Sequence, residues 1–546
     1  MTARLIAALV LLPALAGTAA AQAEGDLFAI RKSFGLFGSI YEALASEYVD
    51  AVDAERLMRT GIGAMTDALD PYTVYYDEAT AAASRLQQQG DVGGVGVVLA
   101  ERGGGLVVAS VLDGSDAEVQ GLRPGDAVVA VAGQPGGAVS AERANALLRG
   151  DPGTSVAVEV EREGEPEPLR FVLVRAGEER SEVTYSGFVG SPAEGVGYVR
   201  LGQFLGNAAE QVADAVGALQ GEGDLRALVL DLRGNPGGLL DQAVALSGLF
   251  LPQGTPVTAT QGRSRGTDRQ YVTREARPLL PDLPVAVLVD GQSASASEIV
   301  AGALQDHDRG VVVGETTYGK GLVQVVRPMP YGTALKLTVS RYTTPSGREI
   351  QRLSYAQGER AAAVPDSLRR TFRTRAGRTV RSGGGIEPDL AVSLGDESEL
   401  ERALVRSAAF LRFANRYAAE HAALPDDFRA DGRVYDDFQA FVEAEGVAYR
   451  TDAERTADAL AADLEATGYA AAAGPLADLR RAIEREKAQD FERHAPRLQA
   501  RLRQEVLSRY LGQRAQTVAA LDRDPVLEAA RRVLLDPAAY ARALGR

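Results

Sequence analysis

Three short apolar runs constrain this chain more than any other feature. They are Ala227-Leu228-Val229-Leu230, Val285-Ala286-Val287-Leu288-Val289 and Gly310-Val311-Val312-Val313, and none contains a polar side chain. A strand with one wet face alternates polar and apolar residues, so a run without alternation must be covered on both faces. Apolar positions at helix spacing over 239–249 and 297–306 predict helices beside them. Strand, turn and helix in repetition predict an α/β core over residues 178–397. At 546 residues the chain is too long for that core alone.

The flanking segments have other textures. Over 24–87, Phe34, Phe37, Ile40, Tyr41 and Leu44 recur at helix spacing and predict a helical segment, closed at Leu69-Asp70-Pro71-Tyr72-Thr73. Over 88–177, Val-rich runs alternate with Gly-rich turns, which predicts a small β-rich domain with one helix at 141–148. Residues 398–546 are rich in Ala, Arg, Glu and Leu and are expected to be helical, a structural or oligomerising appendage without chemistry. The opening MTARLIAALVLLPALAGTAAAQAEG has one Arg, an apolar run and A-x-A patterns. It reads as a cleavable signal peptide over 1–23 and so predicts a periplasmic or otherwise exported protein; an uncleaved anchor is the alternative. No other stretch approaches membrane length.

Composition removes several chemistries. There is no Cys, hence no disulfide or thiolate nucleophile. The only His residues are His307, His421 and His494, none at zinc-ligand spacing, so no metal or other cofactor is expected. A net charge of −15 argues against nucleic acid as a partner, since phosphate binding needs a basic face.

Lysine is the informative cation. Of 59 basic residues only four are Lys: Lys32, Lys320, Lys336 and Lys487. A site that must release a proton cannot use Arg. Lys32 and Lys487 read as solvated helix residues and Lys336 as the polar face of a strand. Lys320 sits between Gly319 and Gly321 just after a buried run. It reads equally as a proton-transfer lysine or an exposed turn lysine. A second motif, Ser293-Ala294-Ser295-Ala296-Ser297-Glu298, lies between an apolar strand and a helix. That junction can expose a nucleophile beside free helix N–H groups, although Ser is also a common N-cap. A third, Asp231-Leu232-Arg233-Gly234-Asn235-Pro236-Gly237-Gly238, also joins a strand to a helix. It can present backbone N–H groups to an oxyanion, cradle a phosphate, or be a plain turn. His307 lies twelve residues beyond Ser295, about 18 Å along a straight helix, too far to be its base. With Cys absent and His misplaced, a Ser-Lys dyad is the nucleophilic arrangement left.

Taken together these motifs resemble the C-terminal processing (tail-specific) peptidases. The resemblance implies Ser295 as nucleophile, Lys320 as general base and Gln324, in Gly319-Lys320-Gly321-Leu322-Val323-Gln324, as the residue orienting the lysine. It implies an oxyanion hole from the N–H of Ala296 and that of Gly237 or Gly238. Gly94-Val95-Gly96-Val97 is similar to a PDZ carboxylate-binding loop, and Gly121-Leu122-Arg123-Pro124-Gly125-Asp126 to a PDZ turn. The motifs span roughly 28–395. They imply a crotonase/Clp-like α/β protease core with an inserted β-rich PDZ domain, residues 24–87 packing onto 178–397.

The implied reaction is serine endopeptidase chemistry through an acyl-enzyme, on polypeptide substrates whose free C-termini add to the PDZ domain as a strand. A homo-oligomer or an adaptor protein is a possible further partner. Two other readings stay open: a PDZ adaptor on a dead protease fold, opposed by the intact Ser295, Lys320 and Gln324, and an acyl-CoA enzyme of the crotonase type, opposed by the export signal.

Overall fold

Each apolar run is a strand in a computed structural model that describes residues 28, 31–78, 80–82, 93–177, 181–264, 266–275, 278–355, 362–393, 395, 397–425 and 428–546. The expected signal peptide lies outside these residues. Among them no helix is long and apolar enough to cross a membrane. Two compact units form. One comprises Met1–Ala81, Gln324–Thr338 and Tyr355–Ala362; the other comprises Ala82–Val323, Val339–Ser354 and Ala363–Arg546.

In the first unit, helix α1 (residues 31–47) precedes α2 (Ala54–Asp67), which Asp53 caps by accepting from the Arg56 N–H. Asp70 Oδ1 accepts from the Tyr72 and Thr73 N–H groups and turns the chain into a short strand, β1 (Val74–Tyr76). The helical expectation for 24–87 fails here. A three-residue strand carries no periodicity, and its antiparallel partners, Lys336, Leu335 and Ala334, are remote in sequence. That pairing does join residues 24–87 to part of 178–397.

The second unit opens with the β-rich domain: β2 (Val97–Arg102), β3 (Gly105–Val111), β4 (Ala127–Val131), β5 (Ser155–Glu161) and β6 (Leu169–Val174), hydrogen-bonded in that order, with β2 at an edge. Val156, Val158 and Val160 point inward at period two, joining Val108, Val131 and Leu173 in one core. Helix α3 (Ala141–Leu148), capped by Ser140, lies beside β2.

Next comes the α/β core. Its sheet contains β7 (Val183–Phe188), β8 (Val196–Leu201), β9 (Ala227–Asp231), β10 (Val285–Val289), β11 (Val311–Gly314) and β12 (Leu390–Ala391), in the order β12-β11-β10-β9-β8-β7. All neighbours are parallel except β7 and β8. Alternate residues of each strand serve opposite faces. Leu228, Leu230, Val285, Val287, Val289 and Val312 pack under α4 (Ala208–Glu222), α5 (Leu240–Gly248) and α6 (Ala296–Asp306). Ala227, Val229, Ala286, Leu288, Val311 and Val313 face the other way, against Val526, Leu527, Ala530 and Leu534 of α7 (Pro525–Leu535) and against Leu544, just after α8 (Pro537–Ala543).

The expected appendage is therefore partly the second cover of the sheet. Each large apolar side chain buried there contributes about 1.5–3 kcal/mol, so α7 is integral to the core. The rest of the segment is a bundle around Phe410, Phe413, Phe438, Leu498 and Leu502, whose Ala408 and Leu411 also pack with Val107 of β3. Lys487, expected in solvent, is mostly buried instead: its Nζ donates to Glu454 and to the Tyr449 carbonyl.

Candidate active site

β10 ends at Val289 and the chain turns tightly into α6. Ser295 sits at the apex with φ 55°, a left-handed conformation costly for a residue with a side chain. The strain is held from all sides. Its N–H donates to Glu298 Oε2 at 2.8 Å, and its carbonyl accepts from the Tyr342 hydroxyl at 3.1 Å and from the Ile299 N–H. The three serines of the motif separate clearly. Ser293 is buried and donates its hydroxyl to the Leu232 carbonyl at 2.8 Å. Ser297 is buried and donates to the Asn235 carbonyl at 2.9 Å. Only Ser295 is partly exposed.

The loop 234–238 runs beside this turn. The Ala294 N–H donates to the Asn235 carbonyl at 3.0 Å, and the Gly234 N–H donates to Asp290. A Cβ on Gly237 would stand 2.6 Å from the Ala294 carbonyl oxygen and 2.8 Å from the Ala296 nitrogen, so only glycine allows the two segments this close. Of the two candidate donors, Gly237 is corrected: its N–H is committed to Asn235 Oδ1 at 2.9 Å. The Gly238 N–H and the Ala296 N–H, the first of helix α6, have no acceptor among the described residues.

Lys320 follows β11 in the segment 317–321, which is tied to the nucleophile turn. The Tyr318 N–H donates to the Ser293 carbonyl at 3.0 Å. Glu298 is the main connector. Its Oε1 accepts from the Gly319 N–H at 2.7 Å and from the Thr317 hydroxyl at 2.6 Å. Its Oε2 accepts from the Lys320 N–H at 2.9 Å as well as from Ser295. One carboxylate thus fixes the backbones of Ser295 and Lys320 together. Burial pushes the Glu298 carboxyl above its ordinary range, while these donors pull the other way. Tyr342, also fully buried, is pushed well above the usual tyrosine range by burial and by Glu298. His307 caps the far end of α6 and its Nε2 pairs with the Pro256 carbonyl, so it stays away from Ser295.

Gln324 belongs to the first unit, where its Nε2 donates to Thr338 Oγ1 at 3.2 Å and Thr338 Oγ1 in turn donates to Asp70 Oδ1 at 3.1 Å. In the β-rich domain Gly94 is corrected as a carboxylate donor. Its N–H donates to the Ala176 carbonyl at 3.1 Å, and the Ala176 N–H returns the bond at 2.9 Å. Val95, Gly96 and Val97 remain. Gly96 has φ +72°, and a Cβ there would lie 2.2 Å from that of Ser115.

Sequence reasoning missed Glu298 and Asn235 as site residues, although both stood inside the quoted motifs. Their signal was type alone: a carboxylate and an amide in otherwise small-residue turns.

Comparison with known proteins follows the same outline. Residues 195–356 match the model of peptidase family S41, 84–161 that of the PDZ domain, and 400–534 that of the C-terminal helical domain of a probable PDZ-protease. A carboxy-terminal-processing protease of Bartonella bacilliformis is 35% identical over 324 residues, 59% of this chain and 73% of that one. Carboxy-terminal processing protease CtpB of Bacillus subtilis is 33% identical over 340 residues, 62% of this chain and 69% of that one. Among solved structures, a photosystem II D1 C-terminal processing protease is 26% identical, with TM-score 0.37, covering 68% of this chain and 97% of that one. The chain belongs to the carboxy-terminal processing proteases, serine-type peptidases of family S41 that carry a PDZ domain.

Proposed function

We propose that this protease works outside the cytoplasm, in the periplasm or an equivalent compartment, and cleaves peptide bonds with a Ser295–Lys320 dyad. The carrying observation is the division of labour among the serines: Ser293 and Ser297 are buried in bonds to carbonyls, whereas Ser295 is strained, accessible and joined to the Lys320 backbone by Glu298. In the reaction Lys320, neutral, takes the proton of the Ser295 hydroxyl as its oxygen attacks the peptide carbonyl. The Gly238 and Ala296 N–H groups hold the oxyanion. The lysine then protonates the leaving amine, and water releases the acyl group by the same steps reversed. No metal or cofactor is required.

The PDZ domain is assigned the capture of free C-termini. The N–H groups of Val95, Gly96 and Val97 receive the carboxylate, and the peptide adds to the free edge of β2. That edge is bridged at one residue: Asn145 of α3 accepts from the Leu99 N–H at 2.9 Å and donates to the Leu99 carbonyl at 2.7 Å. A bound strand displaces this amide.

The test is hydrolysis of an unfolded polypeptide by purified protein beside Ser295→Ala, Ser293→Ala and Ser297→Ala. Ser295→Ala is expected to abolish turnover, the others to leave part of it. Full activity in Ser295→Ala would overturn the dyad. The export reading is tested by fractionating cells that express the full chain; mature protein in the cytoplasm would overturn it.

A further inference from the structure

The C-terminal helical domain reaches the oxyanion loop through one carboxylate. Arg233 opens that loop. Its guanidinium pairs with Asp231 Oδ2 at 2.6 Å, and Asp231 also accepts from the Tyr198 hydroxyl at 2.5 Å. Burial opposes ionisation of Asp231, but Arg233, the Tyr198 hydroxyl and Arg200 together outweigh it and hold the carboxyl below its usual range. The Asp231–Arg233 pair is local, two residues apart at the end of β9, and by itself does not tie the loop to anything outside its own strand. The Arg233 side chain itself is tied beyond its own strand by Asp524, whose Oδ2 lies 2.6 Å from Arg233 Nη2. The other oxygen of the same carboxylate caps α7, accepting from the Val526 and Leu527 N–H groups at 2.9 and 3.1 Å. Arg233 and Asp524 are 20% and 13% exposed, so water weakens the pair little. On the opposite flank the Gly234 N–H is held by Asp290.

We propose that Asp524 is a positioning residue for the protease reaction. By fixing Arg233, it holds the loop so that the Gly238 N–H meets the developing oxyanion. This rests on the assignment of Gly238 to the oxyanion hole. The helical domain thereby contributes to the chemistry as well as to the core.

Two features make the test clean. Asn caps a helix about as well as Asp, so Asp524→Asn keeps the cap and removes the charge pair. Asp536 offers the control: it caps α8 with the same geometry, accepting from the Ala538 and Ala539 N–H groups at 2.9 and 3.1 Å. Asp536→Asn loses a like charge from a like cap at the other end of α7 from Asp524.

The measurements use the full chain: kcat and KM on a peptide substrate, and affinity for a peptide boronic acid, which places a negative oxygen in the hole. Asp524→Asn is expected to lower kcat and boronate affinity together by about ten-fold, with KM within about two-fold. Asp536→Asn is expected to change neither. In an Arg233→Gln background, Asp524→Asn is expected to add no further loss, because the interaction it removes is already gone. If Asp524→Asn fails to fold, Asp524→Ser, another capping residue, takes its place. Wild-type kcat in the Asp524 variant, an equal loss in Asp536→Asn, or a full additive loss over Arg233→Gln overturns the proposal. If Arg233→Gln lowers boronate affinity and Asp524→Asn does not, the positioning role fails while the oxyanion assignment stands. If neither lowers it, both fail.

Discussion

Two glycine-rich loops of the second unit, 234–238 and 93–97, are each assigned to hold a negative oxygen with backbone N–H groups, but they are supported differently. The protease loop is held by side chains: buried Asn235 from within, half-buried Asp290 and Asp524 from either flank. Its neighbour, the Ser295 turn, is held by Glu298 and Tyr342. The PDZ loop is anchored by backbone pairs from Gly93 and Gly94 to Gly150 and Ala176, and the edge next to it is occupied by the Asn145 amide. The first arrangement is preorganised for a charge that appears briefly, where any reorganisation would raise the barrier. On the proposed reading the second opens at Asn145 to admit a ligand, which lowers affinity.

The largest effect that could break this contrast is at Lys320. Lys320→Arg is expected to be as inactive as Lys320→Ala, since Arg keeps the charge but does not give up its proton. Substantial turnover by the Arg variant would reduce Lys320 to an electrostatic role.

Glu298→Gln comes next. It replaces one acceptor oxygen with a donor facing N–H groups that expect an acceptor, loosening both Ser295 and Lys320. A fall in kcat of about 10²-fold is expected. The pH behaviour has a definite sign. A carboxyl raised by burial takes up its proton in the native state before it would in the unfolded chain. Between the two pKa values the native state binds more protons, so the contribution of Glu298 to stability rises as pH falls. Acid inactivation through Glu298 should therefore be reversible and precede loss of the folded state. Activity and thermal unfolding measured along one pH series check it; a coincident loss of both would place the acid-labile group elsewhere.

At the PDZ loop the expected effects are smaller. Amidating a peptide's C-terminus replaces an acceptor with a donor and costs about 1–3 kcal/mol, roughly a five- to hundred-fold loss of affinity. Calorimetry with Ser295→Ala protein, free against amidated peptide, measures it; equal affinities would remove C-terminal recognition from this domain. The smallest effect has the opposite sign. Asn145→Ala frees the Leu99 edge and is expected to tighten peptide binding by a few-fold, about 1 kcal/mol. Weaker binding would show that Asn145 touches the ligand instead of excluding it.

Much of the sheet was legible because its central strands are apolar throughout, a pattern that only double burial satisfies. The expected runs at 227–230 and 285–289 fall on Ala227–Asp231 and Val285–Val289, and the helix expected at 141–148 is Ala141–Leu148. What the strands could not say was which residues cover the far face. Val526, Leu527 and Leu534 lie in a segment whose periodicity suits any amphipathic helix, and nothing local names its target. Similarly, Ser295 stood out from Ser293 and Ser297 by family resemblance, whereas the bonds that occupy the other two hydroxyls depend on carbonyls some sixty residues upstream. Glu298 and Asp524 were unreadable for one reason: a carboxylate's partners are set by folding, and the sequence shows only that it is there.

The covering of the sheet by α7 also has a meaning in time. Translation delivers β9 and β10 long before residues 525–535, and until those emerge one apolar face of the sheet has nothing to bury it. A nascent or clipped chain ending short of residue 525 therefore carries a sticky, incomplete sheet that chaperones and quality-control proteases recognise. Completion of that layer is also what delivers Asp524 to Arg233. On the proposed role of Asp524, the full rate of peptide cutting comes only with the last helices of the chain, after the rest of the sheet has been made.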